Sequence, residues 1–135
     1  MDNRSSLLVS TRPDIPSAII HENMSRDEHF QNATLRPVLK MQNSLLIEAF
    51  KNYISKHKGG FYAFSTEKKL AFIENAIQRD IKFRNSLKGM IIGLFTVEEY
   101  IRYIENSSAL NKRMMSMVIE RLKDQVQLFD INHVA

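Results

Sequence analysis

The chain has 135 residues, 44% of them hydrophobic and 25% charged, which are the proportions of one ordinary globular domain with apolar side chains enough for a core. It contains no cysteine, and this excludes disulfides, thiolate zinc sites and a cysteine nucleophile. The formal charge of +4 is unevenly spread: residues 36–95 carry eleven basic and four acidic groups, against three and five in residues 1–35 and five and six in residues 96–135.

Residues 1–24 lack helical periodicity and contain Pro13 and Pro16, whose missing N–H groups and fixed φ discourage helix and central strand alike. An extended or disordered arm is expected there. The only early apolar run, Leu7-Leu8-Val9, is followed at once by Arg12 and Pro13, so no secretory signal is read and a cytoplasmic location is expected. Ser25-Arg26-Asp27-Glu28 has the form of a capping box and predicts a helix start. Pro37 follows soon after, and its ring would collide with the carbonyl four residues back. A new helix with Pro37 at its first position is therefore predicted.

From Val38 to His57 the apolar residues 38, 39, 45, 46, 49, 50, 53 and 54 keep the three-and-four spacing of a core-facing helix. Gly59-Gly60 is expected to supply its left-handed cap. Ser65 or Thr66 then caps a helix predicted to run unbroken to about Ser86. The small residues Gly89 and Gly93 are expected to permit close backbone packing. Met90–Phe95, the longest apolar stretch, is far shorter than the roughly 18–20 residues that span a bilayer, so no membrane is expected as partner. Thr96-Val97-Glu98-Glu99 is a second capping box, and Val97, Tyr100, Ile101 and Ile104 form one amphipathic stripe on a helix over 97–105. The last helix, capped by Ser107 or Ser108, should end near Phe129. Of its methionines, Met114 and Met117 fall on the apolar side and Met115 at a possible subunit edge. The fold class predicted is all-α: about five or six helices in a compact bundle-like array spanning 25–130, with the arm 1–24 before it and a tail, 131–135, after it.

No strand pattern and no internal repeat is present. None of His21, His29 or His57 has an Asp, Glu or His three or four residues away, and His133 has Asp130 alone, too few ligands for a site, so no single-helix metal site is expected, and no cofactor motif or catalytic signature such as Gly-x-Ser-x-Gly occurs. Two groups of polar residues stand out instead. On a straight helix over 66–86, Lys68, Asn75, Arg79, Lys82 and Ser86 would share a sector of about 60°, a ridge suited to an anionic partner such as nucleic acid, or to plain solvation. Asp80 and Arg84, four residues apart, would project into the apolar sector of that helix, and Arg121 into that of the last one. Such charges should pair, reach solvent, or line a pocket or an interface.

The run Gln78-Arg79-Asp80-Ile81-Lys82-Phe83-Arg84-Asn85-Ser86-Leu87-Lys88-Gly89-Met90-Ile91-Ile92-Gly93, followed by Thr96-Val97-Glu98-Glu99-Tyr100, resembles a family of small bacterial proteins of similar length, some of which carry the name glyoxalase. The resemblance implies a bacterial source. It supplies no site residues, because metal-dependent glyoxalases use paired strand-rich modules with His/Glu ligands and this chain offers neither.

Three functional expectations follow. The first is a helical interaction protein that associates with itself or another protein, most simply as a homodimer. The second is anion or nucleic-acid binding through residues 36–95, with Lys68, Arg79 and Lys82 as candidates. The third is small-molecule binding or catalysis around Asp80, Arg84 and Arg121.

Overall fold

Helix punctuation, more than helix propensity, decides how this chain is divided. The computed structural model describes residues 2–16, 18–57 and 59–130. It is all-α, with α1 (Asn3–Thr11), α2 (Arg26–Phe30), α3 (Arg36–Lys56), α4 (Thr66–Arg79), α5 (Ile81–Ile92), α6 (Val97–Ile104) and α7 (Ser107–Asp124). A π-helical segment, Gln31–Leu35, joins α2 to α3 without a break. Among the described residues six rods result, within the expected five or six, though two of their boundaries differ from the expected ones.

Ser25 caps α2, its Oγ accepting the Glu28 N–H at 3.1 Å. Pro37 does not begin a new helix; it is the second residue of α3, and the rod passes straight through it. The widened turn makes this possible. The Arg36 N–H donates to the Gln31 carbonyl, five residues back, and a turn closed this way leaves room for a ring that an α-turn would force against the carbonyl of residue 33. α3 then buries Val38, Leu39, Leu46, Ile47, Phe50 and Ile54. It ends at Lys56 with an extended His57, not at the paired glycines. The left-handed residue is Gly60, at φ 74°, and it starts the short 3-10 turn Phe61–Ala63.

Ser65 caps α4 as expected, at 3.3 Å from the Lys68 N–H. The predicted continuous helix over 66–86 is two helices. Asp80 takes an extended conformation, φ −85° and ψ 97°, ending α4 and capping α5 through its Oδ1 and the Phe83 N–H at 3.1 Å. Aspartate favours caps over helix interiors because its short carboxylate competes for backbone N–H groups. Gly89 and Gly93 mediate no close helix pair: a Cβ at Gly89 would meet nothing within 4 Å, and one at Gly93 would meet the Gly89 carbonyl of the same segment. The last helix begins at Ser107 with Asn106 before it, so neither serine caps it, and it stops at Asp124. A 3-10 turn, Val126–Phe129, then carries Phe129 into the core.

α3, α5 and α7 pack against one another, α4 lies on α5 and α7, and α6 lies on α7. Phe50, fully buried, is the aromatic centre, with the rings of Tyr53, Phe72, Phe83 and Phe129 within 4.9–6.2 Å. Met115, expected at an edge, is buried with Met114. The predicted tail 131–135 lies outside the described residues.

The arm departs most from expectation. Asp2 caps α1, its Oδ1 accepting the Ser5 N–H at 2.7 Å, and residues 3–11 are helical. Only after Thr11, where Arg12 turns extended and Pro13 follows, do the described residues lose regular structure until Ser25. Two arginines and a buried serine fasten α1 to the bundle. Arg4 donates to the carbonyls of Phe95 (2.8 Å) and Gly93 (2.6 Å), covering the carbonyl-rich end of α5 where a cation is favoured. The Ser5 Oγ accepts the Val97 N–H at 3.2 Å.

Candidate functional site

The second capping box is present as read: the Thr96 Oγ1 accepts the Glu99 N–H and the Glu99 carboxylate accepts the Thr96 N–H, at 3.1 and 2.8 Å. Glu99 does more than the motif requires. Arg12 closes on it with both guanidinium nitrogens, at 2.6 and 2.5 Å, and Thr34 donates its hydroxyl at 2.8 Å. The paired side chains are 9% and 18% exposed. Burial alone would raise the Glu99 pKa, but the bonds from Arg12, Thr96 and Thr34 outweigh it and hold the carboxyl below its usual range. One carboxylate thus joins the arm, the π segment and the start of α6.

This fixes α6 in an unusual orientation. Tyr103 is its buried residue, its hydroxyl donating to Asn111 of α7 at 2.5 Å. The apolar stripe faces away from the core: Val97, Tyr100, Ile101 and Ile104 are 49%, 46%, 53% and 53% exposed. At ~100° per residue the four lie within about 100° of arc, with Glu98 and Arg102 exposed along one flank. Val9 of α1 shares a shallow cavity with Thr96 and Glu98, and Ile20 shares another with Arg102, so the arm borders the Glu98–Arg102 flank of α6. Scattered exposed apolar residues are normal; a whole amphipathic face turned outward marks a contact surface.

The polar candidates do not converge. Asp80 sits at the α4–α5 kink, where its Oδ2 accepts the Tyr53 hydroxyl at 3.1 Å. Desolvation and this bond push Tyr53 up to about 12, so it stays a donor at neutral pH. The expected Asp80–Arg84 ion pair is absent: the two are one turn apart at the start of α5, the Arg84 N–H donating to the Asp80 carbonyl at 2.9 Å, but the Asp80 carboxylate is turned to the Phe83 N–H and the Tyr53 hydroxyl. Arg121 lies elsewhere, in a cleft between α3 and α7. The three share no pocket, which removes the site they were expected to line. The predicted basic ridge is divided too. Lys68 lies on the first turn of α4, its Nζ 5.9 Å from the Phe64 ring, while Arg79 and Lys82 flank the kink beside a depression floored by Tyr53 and Phe72.

Among the described residues no three His, Asp or Glu side chains come together as a metal site, and no helix is long and apolar enough to cross a membrane. Compared with known protein families, curated proteins and solved structures, the chain matches none of them. Geometry alone therefore carries the functional reading. Sequence reasoning missed Arg12 and Thr34 as partners of Glu99. A buried acceptor with lone pairs to spare after capping was the available signal, but nothing in the spacing says which donors reach it.

Proposed function

We propose that this is a self-associating interaction module whose contact surface is the outward face of α6. The carrying observation is the orientation of that helix: Tyr103 holds it to α7 while Val97, Tyr100, Ile101 and Ile104 stay open to solvent. The flank charges favour a second copy over an unrelated partner. In an antiparallel pair centred between Tyr100 and Ile101, position 97 lies opposite 104 of the other copy, and equal flanks meet. Glu98 then falls beside Arg102 of the second copy, and Arg102 beside its Glu98. This surface is self-complementary, as a two-fold contact requires.

Magnitudes place the dimer in the weak-to-moderate range. Completing the burial of each half-exposed side chain contributes about 1 kcal/mol, so eight of them supply roughly 8 kcal/mol before the cost of association is subtracted. Burial from the arm and paired flanks must add to this for a micromolar complex. Ile101→Asp, which puts a carboxylate at the centre of the contact, is expected to leave a folded 15.7 kDa monomer at concentrations where the parent chain sediments as a dimer. A parent chain that stays monomeric up to about 1 mM, or a variant that sediments as the parent does, would sink the proposal.

A further inference from the structure

The cleft between α3 and α7 measures about 550 Å³, and its lining includes Gln31, Arg36, Leu39, Met117 and Arg121 together with the exposed Glu120 and Asp124. The π segment builds one wall. Residues five apart on an α-helix lie about 140° from each other, which would point Gln31 and Arg36 in different directions. The i+5 bond from the Arg36 N–H to the Gln31 carbonyl stacks them instead. α7 supplies the other wall with Met117 and Arg121 one turn apart. Its end is tied to α3 by reciprocal Asn43–Gln125 amide bonds, both 2.8 Å, and by the Gln125 Nε2 donating to the Arg121 carbonyl at 2.9 Å.

The donors in this cleft are unclaimed. Neither the Arg36 nor the Arg121 guanidinium gives a hydrogen bond to any described residue, and neither stands within ion-pair distance of Glu120 or Asp124. Both arginines are half-buried. Arg113 donates to the Gln31 Oε1 at 2.8 Å, which orients that amide and leaves its N–H₂ without a protein acceptor among the described residues. Burial first, and the nearby Arg36 charge second, lower the Arg121 pKa, against a smaller opposing pull from Asp124. A guanidinium keeps its proton at any ordinary pH, so an anion, not deprotonation, relieves that strain.

We propose that this cleft binds a small molecule bearing an oxyanion, a carboxylate or a phosphate monoester, held between Arg36 and Arg121 with the Gln31 amide as third donor. Leu39 and Met117 receive its apolar part. The exposed carboxylates of Glu120 and Asp124 disfavour a long polyanion such as a nucleic-acid strand. The site lies apart from α6 and stands or falls independently of self-association.

The test is titration of the parent chain with inorganic phosphate and, separately, with hexanoate, followed by amide and side-chain NMR signals of Gln31, Arg36 and Arg121. Saturable shifts confined to these residues are expected with at least one anion. Phosphate alone would name the phosphate source, and hexanoate the carboxylate. Arg36→Gln and Arg121→Gln should each weaken binding by about 10- to 100-fold, the loss of charge-assisted hydrogen bonds worth ~1.5–3 kcal/mol. Arg121→Lys should retain part of it. Spectra of the unliganded variants that overlay the parent away from the cleft keep misfolding from imitating this result. No saturable shift by either anion below about 10 mM, or affinity unchanged in both glutamine variants, overturns the proposal.

Discussion

Glu99→Ala is expected to destabilise the fold by about 3–5 kcal/mol, the cost of removing one partner from a buried, hydrogen-bonded ion pair. The substitution leaves the Arg12 guanidinium, the Thr34 hydroxyl and the Thr96 N–H without their shared acceptor. Given a usual total of ~5–15 kcal/mol, urea denaturation should register the loss as a large drop in midpoint with little change in slope. A loss under about 1 kcal/mol would place Glu99 among ordinary surface pairs and refute its role as the fastening of α1 to α6. The sign of the pH effect follows from the direction of the pKa. A carboxyl held below its unfolded value adds stability that is complete above about pH 4.3, the ordinary glutamate value, and is lost as pH falls through the lower folded value. The stability gap between the parent chain and Glu99→Gln should therefore be widest near neutrality and shrink in acid.

Phe50→Ala should cost a similar ~3–5 kcal/mol, by lost transfer energy and an unfilled cavity. Phe50 is 0% exposed and faces four rings, the closest being Phe129 at 4.9 Å. Two of these neighbours, Tyr53 and Phe83, stack at 4.2 Å and support the Asp80 kink from beneath. Loss of Phe50 should therefore loosen the α4–α5 junction more than the α1–α6 side. Hydrogen exchange would detect this as protection falling at Phe83 before it falls at Tyr100. Equal loosening at both would mean that the core transmits the defect uniformly.

The helices were readable from the sequence to the extent that periodicity and caps agree. Ser25, Ser65 and Thr96 cap where the motif places them. Asp80 is the instructive failure. Its neighbours continue the helical period through both halves of 66–86, so the pattern conceals a break that the cap preference of aspartate alone announces. α1 was hidden for the opposite reason: its sequence has little amphipathic pattern, and its docking rests on Arg4, Ser5 and Arg12 meeting groups about ninety residues away. The stripe on α6 was legible as a stripe. A period of 3.6 shows that a helix has an apolar side, not whether that side meets its own core or another molecule. Here the buried side is chosen by Tyr103 and Glu99, two polar-tipped residues that find partners inside. The candidates Asp80, Arg84 and Arg121 were grouped by helical arcs alone; capping turns the Asp80 carboxylate to Tyr53, and Arg121 lines a different cleft. Gln31 and Arg36 escaped notice because only a π turn aligns them.

The most direct test of the central claim is a charge exchange on the α6 flank, read as molar mass by light scattering at low salt. Glu98→Arg alone puts two arginines opposite each other in the antiparallel pair and should lower dimer content, and Arg102→Glu alone should do the same. The double variant Glu98→Arg, Arg102→Glu restores opposite charges across the two-fold axis and should recover the dimer. Recovery is the predicted result. Dimer content that stays as low in the double variant as in the singles, or that none of the three changes, would contradict an α6–α6 contact.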